Sequence, residues 1–453
     1  MKIRELINPA QQLRRCLQEG RSEFFTFEFE QYYLSGAPSI LLFAAIAWPD
    51  VDAPVVVVTE KVAQARHWLG VRGLTVCLQP TDVDDLASCL QAAVVPLNRF
   101  WRLRPVHIAK PWGREIWYTG IEQRGQSEVT DGRYSVPLPW LIALGADQLL
   151  CCGSEAPNLL KVLDPLHEEA FGDLYFELHQ QKQEVYVVTA IAPQAWPTGE
   201  GAIRYGFSPS KRQLYGDDNG FRSAYLAAVK KYEAVRRSID AILDQCRVSA
   251  GVGLNDPVGA EQLKRWLLNV PNSLLAQELV SRQEMNDFTH VVPLRIGDVV
   301  KVDCLIPHAL QHGVRAVEFQ SPVYERKILS FSQKVLTQNH WDTEEAVQLM
   351  GLDPGAVEKL VLVEKTASFC LEQVVAFDDF NVYRLTLKPG GKYRFPCRGS
   401  YFLLMMVAGQ ISVGSDVLAP EEAFLFPATL SSSECTNGES GDAIVLISTP
   451  FAL

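Results

Sequence analysis

Glu177 and His179 stand two residues apart in Phe176-Glu177-Leu178-His179, where apolar and polar side chains alternate. On a strand, residues two apart share a face, so a carboxylate and an imidazole point the same way. Glu184 opens Val185-Tyr186-Val187-Val188, which reads as the next strand, and His308 arrives in Ile306-Pro307-His308-Ala309-Leu310, after a Gly297-Asp298 turn and a further β-rich run. Two imidazoles and two carboxylates suit a borderline divalent ion: zinc first, with manganese, iron or nickel behind it. Glu177 among apolar neighbours is costly to bury without a partner, which also favours a cation beside it. Each residue has a plainer reading when taken alone. His179 on an apolar strand is more often a satisfied core histidine, and Glu184 could pair with Lys182 on a solvated face. The pattern as a whole favours ligation. His312 reads as a loop residue and His167 as a weaker alternative ligand.

Several kinds of element must position these groups. From Val106 the chain is dense in short strands: Glu115 to Gly120, Leu159 to Leu163, Leu174 to His179 and Glu184 to Ile191, punctuated by Pro165, Gly172-Asp173 and Pro193. Strands this short and this closely spaced favour a sandwich or barrel. The period then changes. Phe221, Tyr225, Leu226, Val229, Tyr232, Val235, Ile239 and Ile242 recur at helical spacing, and Pro257 to Asn269 and Ser273 to Gln283 also read as helices. Strands resume at His290, with Val291 to Leu294, Val299 to Cys304 and Val314 to Phe319. A second series starts near Phe377, with Tyr383 to Leu387, Tyr401 to Ala408, Ile411 to Val413, Phe424 to Phe426 and Ala443 to Ser448. No histidine follows His340, so no second histidine-based site is expected there. Residues 1–104 carry a helix over Pro9 to Arg21, strands at Phe24 to Tyr33, Leu41 to Trp48 and Val55 to Thr59, a helix over Glu60 to Leu69 and a strand at Leu74 to Cys77. They read as an α/β extension without assignable chemistry.

The motifs resemble the core of the type I phosphomannose isomerases, a cupin family. Glu177-Leu178-His179, Lys182-Gln183-Glu184 and Pro307-His308-Ala309-Leu310 are similar to that family's Q-V-H-P, K-x-E and P-H-A runs. Lys110-Pro111-Trp112-Gly113 resembles its P-W-G opening, and Pro157 to Asp164 its P-F-L-F-K-V-L strand. Val317 to Arg326 resembles its E-I-Q-x-x-S-D-x-x-Y-R segment. The matches run in family order over roughly residues 105 to 453. The resemblance implies a mainly β protein of two cupin (jelly-roll) barrels with a helical insertion. On this reading 105–209 and 289–331 form the metal-binding domain, 210–288 the insertion, and 332–453 a C-terminal cupin-like domain without a metal. It further implies a Zn2+-dependent aldose–ketose isomerase acting on a sugar phosphate through an enediolate. Glu177, His179, Glu184 and His308 would be ligands, Lys182 and Arg326 catalytic, and Lys161 directed at the phosphate. A non-catalytic cupin that binds a sugar or acts as a regulatory module is the alternative. The chain departs from the family at Glu177, where the family has glutamine, and at Pro322, where it has aspartate. Only Gln180 to Gln183 separate His179 from Glu184, so a pocket-shaping loop is reduced to a tight turn.

Composition narrows the class. At 453 residues the chain can hold two or three domains, and 47% hydrophobic and 21% charged residues are ordinary for a globular protein. A net charge of -11 argues against a nucleic-acid partner, although a local basic cluster could still hold a small anion. No run approaches the ~20 apolar residues that span a bilayer, and the first 25 residues do not read as a signal peptide. Ten cysteines without C-x-x-C spacing fit free thiols in a cytoplasmic protein. The sequence does not set an oligomeric state.

Overall fold

The computed structural model describes residues 3–31, 34, 36–48, 53–72, 79–151 and 156–451. The protein is mainly β and is built from several sheets, with no closed barrel among the described residues. The chain divides into two compact units.

One unit comprises residues 107–116 and 161–359. Its frame is two sheets. The six-stranded sheet runs Val299–Val302, Glu184–Ile191, Val314–Gln320, Leu159–Pro165, Gly113–Trp117 and Val106–Lys110; the five-stranded one runs Thr289–Leu294, Gly201–Phe207, His308–Leu310, Phe176–Leu178 and Lys327–Ser330. Alternation sends one face of each strand inward. Tyr186, Val188, Val300 and Ala316 from the first sheet and Leu178, Ile203, Leu310 and Ile328 from the second belong to a single buried core. The helical stripe is the 32-residue helix Asp218–Ser249, whose Phe221, Tyr225, Val229, Tyr232 and Ile239 are buried. Asp217 caps it by accepting from the Gly220 N–H. Ala260–Leu267 and Asn272–Asn286 follow. The expected cap at Asn272-Ser273 gives way to Pro271, which has no capping side chain.

The other unit holds residues 1–106, 117–160 and 360–453. The sheet Glu23–Phe29, Ile40–Ala47, Val55–Thr59, Val95–Pro96 packs with the helices Val62–Arg72 and Pro80–Leu90. The strand expected at Leu74 to Cys77 lies outside the described residues. A nine-stranded sheet holds most of the C-terminal strands, and Trp101–Arg104 enters it beside Ala423–Phe426. All eight described cysteines are free, and among the described residues no helix is long and apolar enough to cross a membrane.

One polar tie secures the strand that carries His308. The Asp173 carboxylate accepts from the His312 backbone N–H at 3.0 Å and lies 2.7 Å from its Nδ1, while the Leu174 N–H donates to the Leu310 carbonyl. Burial would raise the Asp173 carboxyl, but His312 outweighs it and holds the group below its ordinary range. A depressed carboxyl adds stability that is complete above the unfolded value of 3.8 and fades as pH falls through the lower folded value. Asp173→Asn is therefore expected to cost about 1–3 kcal/mol at pH 7, and much less near pH 2, in urea titrations at the two pH values.

Candidate metal centre

The two sheets supply opposite walls of the site. On the five-stranded sheet, Glu177 lies directly across from His308, and His308 from Tyr205. On the six-stranded sheet, Glu184 pairs with Gln320 and Tyr186 with Glu318. Residues 179–183 cross from one sheet to the other, so the shortened segment is a sheet-to-sheet crossover and not a hairpin turn. The crossover is fastened at several points. The Glu325 carboxylate accepts the backbone N–H groups of Gln181 and Lys182, the latter at 2.8 Å, and Gln183 and Ser321 exchange hydrogen bonds.

Ligand-capable atoms of His179, Glu184 and His308 lie within 4.8 Å of one another, and all three residues are buried. His179 Nδ1 is 3.0 Å from the Glu325 carbonyl, and His308 Nδ1 is 3.1 Å from the Ile306 carbonyl. A carbonyl only accepts, so each Nδ1 carries the hydrogen and each Nε2 presents a bare lone pair. Both lone pairs face Glu184 Oε1, at 3.4 Å for His179 and 2.8 Å for His308, and neither Nε2 has a hydrogen-bond partner. Three electron-rich atoms this close together favour a cation among them. The 3.4 Å approach of His179 matches the roughly 3.4 Å edge of a tetrahedron with ~2.1 Å bonds, and the 2.8 Å approach of His308 is shorter. Backbone carbonyls that fix the imidazole tautomer are the outer support such a centre needs. The donor set therefore fits a divalent ion. Glu177 stands at the margin, its Oε1 3.9 Å from His179 Nε2 and its Oε2 3.9 Å from the Arg326 guanidinium.

Lys161, Lys182 and Arg326 line the same cavity as Glu177, Glu184 and His308. Each is already engaged by a carboxylate. Lys182 Nζ is 2.7 Å from Glu184, and Lys161 Nζ is 3.1 Å from Glu318 and 4.0 Å from Glu115. Glu115 also pairs with Lys110 at 3.0 Å. The solvated Glu184–Lys182 alternative does not hold, because the pair forms in the interior, with Glu184 1% exposed.

These charges set the protonation states. Burial would raise Glu184, but the Lys182 charge and His179 hold it well below the usual carboxylate range. Burial would likewise raise Glu177, and Arg326 outweighs it. Burial and the Lys182 charge push His179 down, keeping the imidazole neutral. Burial alone would lower Lys161; Glu318, Glu115 and Glu184 instead hold it above its ordinary range. Glu318 moves the other way: burial pushes it up to about 8 against the pull of Lys161, with Glu184 adding to the rise.

Sequence reasoning passed over Glu318, Glu115, Tyr186 and Glu325. Tyr186 donates to Glu184 Oε1 at 2.6 Å. Glu318, between Val317 and Phe319, carried the same signal as Glu177, a carboxylate between apolar neighbours. His312 is the partner of Asp173, and His167 is exposed beside Glu168.

Comparison with solved structures places the fold. The mannose 6-phosphate isomerase from Bacillus subtilis superposes with a TM-score of 0.53 at 12% identity, over 78% of this chain and 99% of that one. A point mutant of phosphomannose isomerase from Salmonella typhimurium and a zinc-bound holo mannose 6-phosphate isomerase each give 0.51 at 15%, over 78% of this chain and all of theirs. At this identity the likeness is one of fold. No family model matches the chain, and no curated protein does.

Proposed function

We propose that the protein is a metal-dependent aldose–ketose isomerase acting on a sugar or sugar phosphate, with its centre in the unit 107–116 and 161–359. The observation that carries this reading is convergence: Lys161, Lys182 and Arg326 line one cavity with the imidazole–carboxylate cluster, where a binding relic could leave them splayed into solvent. The shared fold with mannose 6-phosphate isomerases supports it. The two-barrel, jelly-roll description of the strand-rich regions rests on that same likeness.

His179, Glu184 and His308 would hold the ion, with Glu177 completing the set. A bound divalent ion would stabilise the negative charge that develops on the sugar's oxygens as the enediolate forms. The protein's own groups do the rest. Glu318, pushed up to about 8, can take and return a proton near neutral pH, as transfer between C1 and C2 requires. Lys182 and Arg326 orient hydroxyls and offset charge. Glu325 and the crossover hold His179 in its working tautomer.

The cavity measures only about 30 Å3, room for roughly two waters. A hexose is larger than this volume, so the lining must rearrange to admit one. This small volume is the observation on the side of the second reading, a metal-holding module without turnover. A coupled assay of zinc-loaded protein with mannose, fructose and their 6-phosphates, alongside metal analysis, separates the two. Interconversion with stoichiometric metal is expected; bound metal without turnover of any of the four sugars would establish the module instead.

A further inference from the structure

Resting on the isomerase reading, we infer that Glu177 sets the charge class of the substrate, and that the site takes an uncharged sugar in preference to a sugar phosphate. Four carboxylates (Glu115, Glu177, Glu184, Glu318) and three cations (Lys161, Lys182, Arg326) line the cavity. A phosphate dianion is held by cations or N–H groups that are available to it. Each of the three cations is engaged by a carboxylate. Lys182 is bound to Glu184 at 2.7 Å, Lys161 to Glu318 at 3.1 Å, and Arg326 lies against Glu177 at 3.9 Å. Arg326 is further fixed by donating to Thr337 Oγ1 at 2.6 Å and by lying over the Tyr175 ring, 4.9 Å from its centroid. Drawing Arg326 to a phosphate would strand Glu177 in the interior, which is strongly unfavourable.

Glu177 makes the difference, since a neutral residue in its place would free Arg326 from its carboxylate. It acts through Arg326 and is in that sense a positioning residue.

The test compares kcat/KM for mannose with that for mannose 6-phosphate in zinc-loaded wild type, Glu177→Gln and Glu177→Asp, with metal content measured in each. Glutamine keeps an oxygen at the position and removes the charge; aspartate keeps the charge and serves as the second variant. Wild type is expected to favour mannose at least 10-fold. Glu177→Gln is expected to move the ratio at least 10-fold toward the phosphate, chiefly in KM, while Glu177→Asp holds the wild-type preference. A wild-type preference for the phosphate, or a ratio that Glu177→Gln leaves unmoved, overturns the inference while leaving the isomerase reading intact. If no protein turns over either sugar, the isomerase reading falls. Calorimetric titration of the zinc-loaded proteins with fructose and fructose 6-phosphate then decides the inference by the same ratio: tighter binding of fructose sustains it and tighter binding of the phosphate overturns it.

Discussion

His308→Ala is expected to lose zinc and turnover together while keeping the fold. His308 contributes one of the two bare imidazole nitrogens and makes the shorter of the two imidazole approaches to Glu184, at 2.8 Å. Loss of an outer-shell partner alone typically weakens a metal site 10–100-fold, so loss of this nitrogen should weaken zinc binding by more than ~100-fold, read by competition with a chelator. Turnover should fall at least about 1000-fold, because the charge developing on the substrate then goes unopposed. The informative comparison is thermal. Zinc held by the native state alone stabilises wild type by about 2.7 kcal/mol at a free concentration 100 times Kd. In His308→Ala the same zinc should leave the melting temperature within error of the metal-free value. Without metal, the variant should be little less stable than wild type, because the substitution removes one of three mutually repelling atoms along with its packing. A variant that still gained stability from zinc and still turned over substrate would show that the ion, if any, sits elsewhere.

The parts of this centre visible in the sequence are those set by local pattern. Glu177 and His179 were legible because a two-residue spacing fixes a shared face, and because a charged group between apolar neighbours has to be explained. The long helix Asp218–Ser249 was legible from its apolar stripe. What depends on long-range pairing was not. Which sheet a strand joins is set by partners far away in sequence, so the crossover at 179–183 looked like a turn, and nothing local tied Trp101–Arg104 to Ala423–Phe426. The strand Val361–Lys365 is exposed at every position and shows no inward face to detect, and the helix Thr343–Leu349 is too short to establish a period. Glu318 was missed for a different reason. Its strand was read for its match to a family segment, and the cost of burying its carboxylate went unconsidered.

That cost makes Lys161 a group whose loss should be felt well beyond the chemistry. The resemblance directs Lys161 at a phosphate, yet the structure buries it between Glu318 and Glu115. Lys161→Met keeps most of the volume and removes the charge, leaving Glu318 without its near partner; Glu115 retains Lys110. Breaking a buried pair from one side costs about 3–5 kcal/mol, which should appear in urea unfolding as a lower midpoint at unchanged slope. The penalty should depend on pH in a definite direction. The folded Glu318 carboxyl lies at about 8, above its ordinary value of 4.5, so its contribution is fullest below about 4.5 and declines as pH rises through the folded value. Without Lys161 that value climbs further. Below pH 7 both proteins hold Glu318 largely protonated and the difference is modest; above pH 8 only the variant must bury a lone carboxylate or keep it protonated, and the gap widens. The double variant Lys161→Met/Glu318→Leu should recover most of the stability, since apolar groups of similar volume can replace a buried pair, and the coupling between the two sites should exceed about 1 kcal/mol. It should not recover turnover if Glu318 carries the proton. Recovery of stability without activity would assign Lys161 to the balance of the interior and Glu318 to the chemistry, whereas a single Lys161→Met variant as stable as wild type at pH 9 would mean that the pair is not closed in solution.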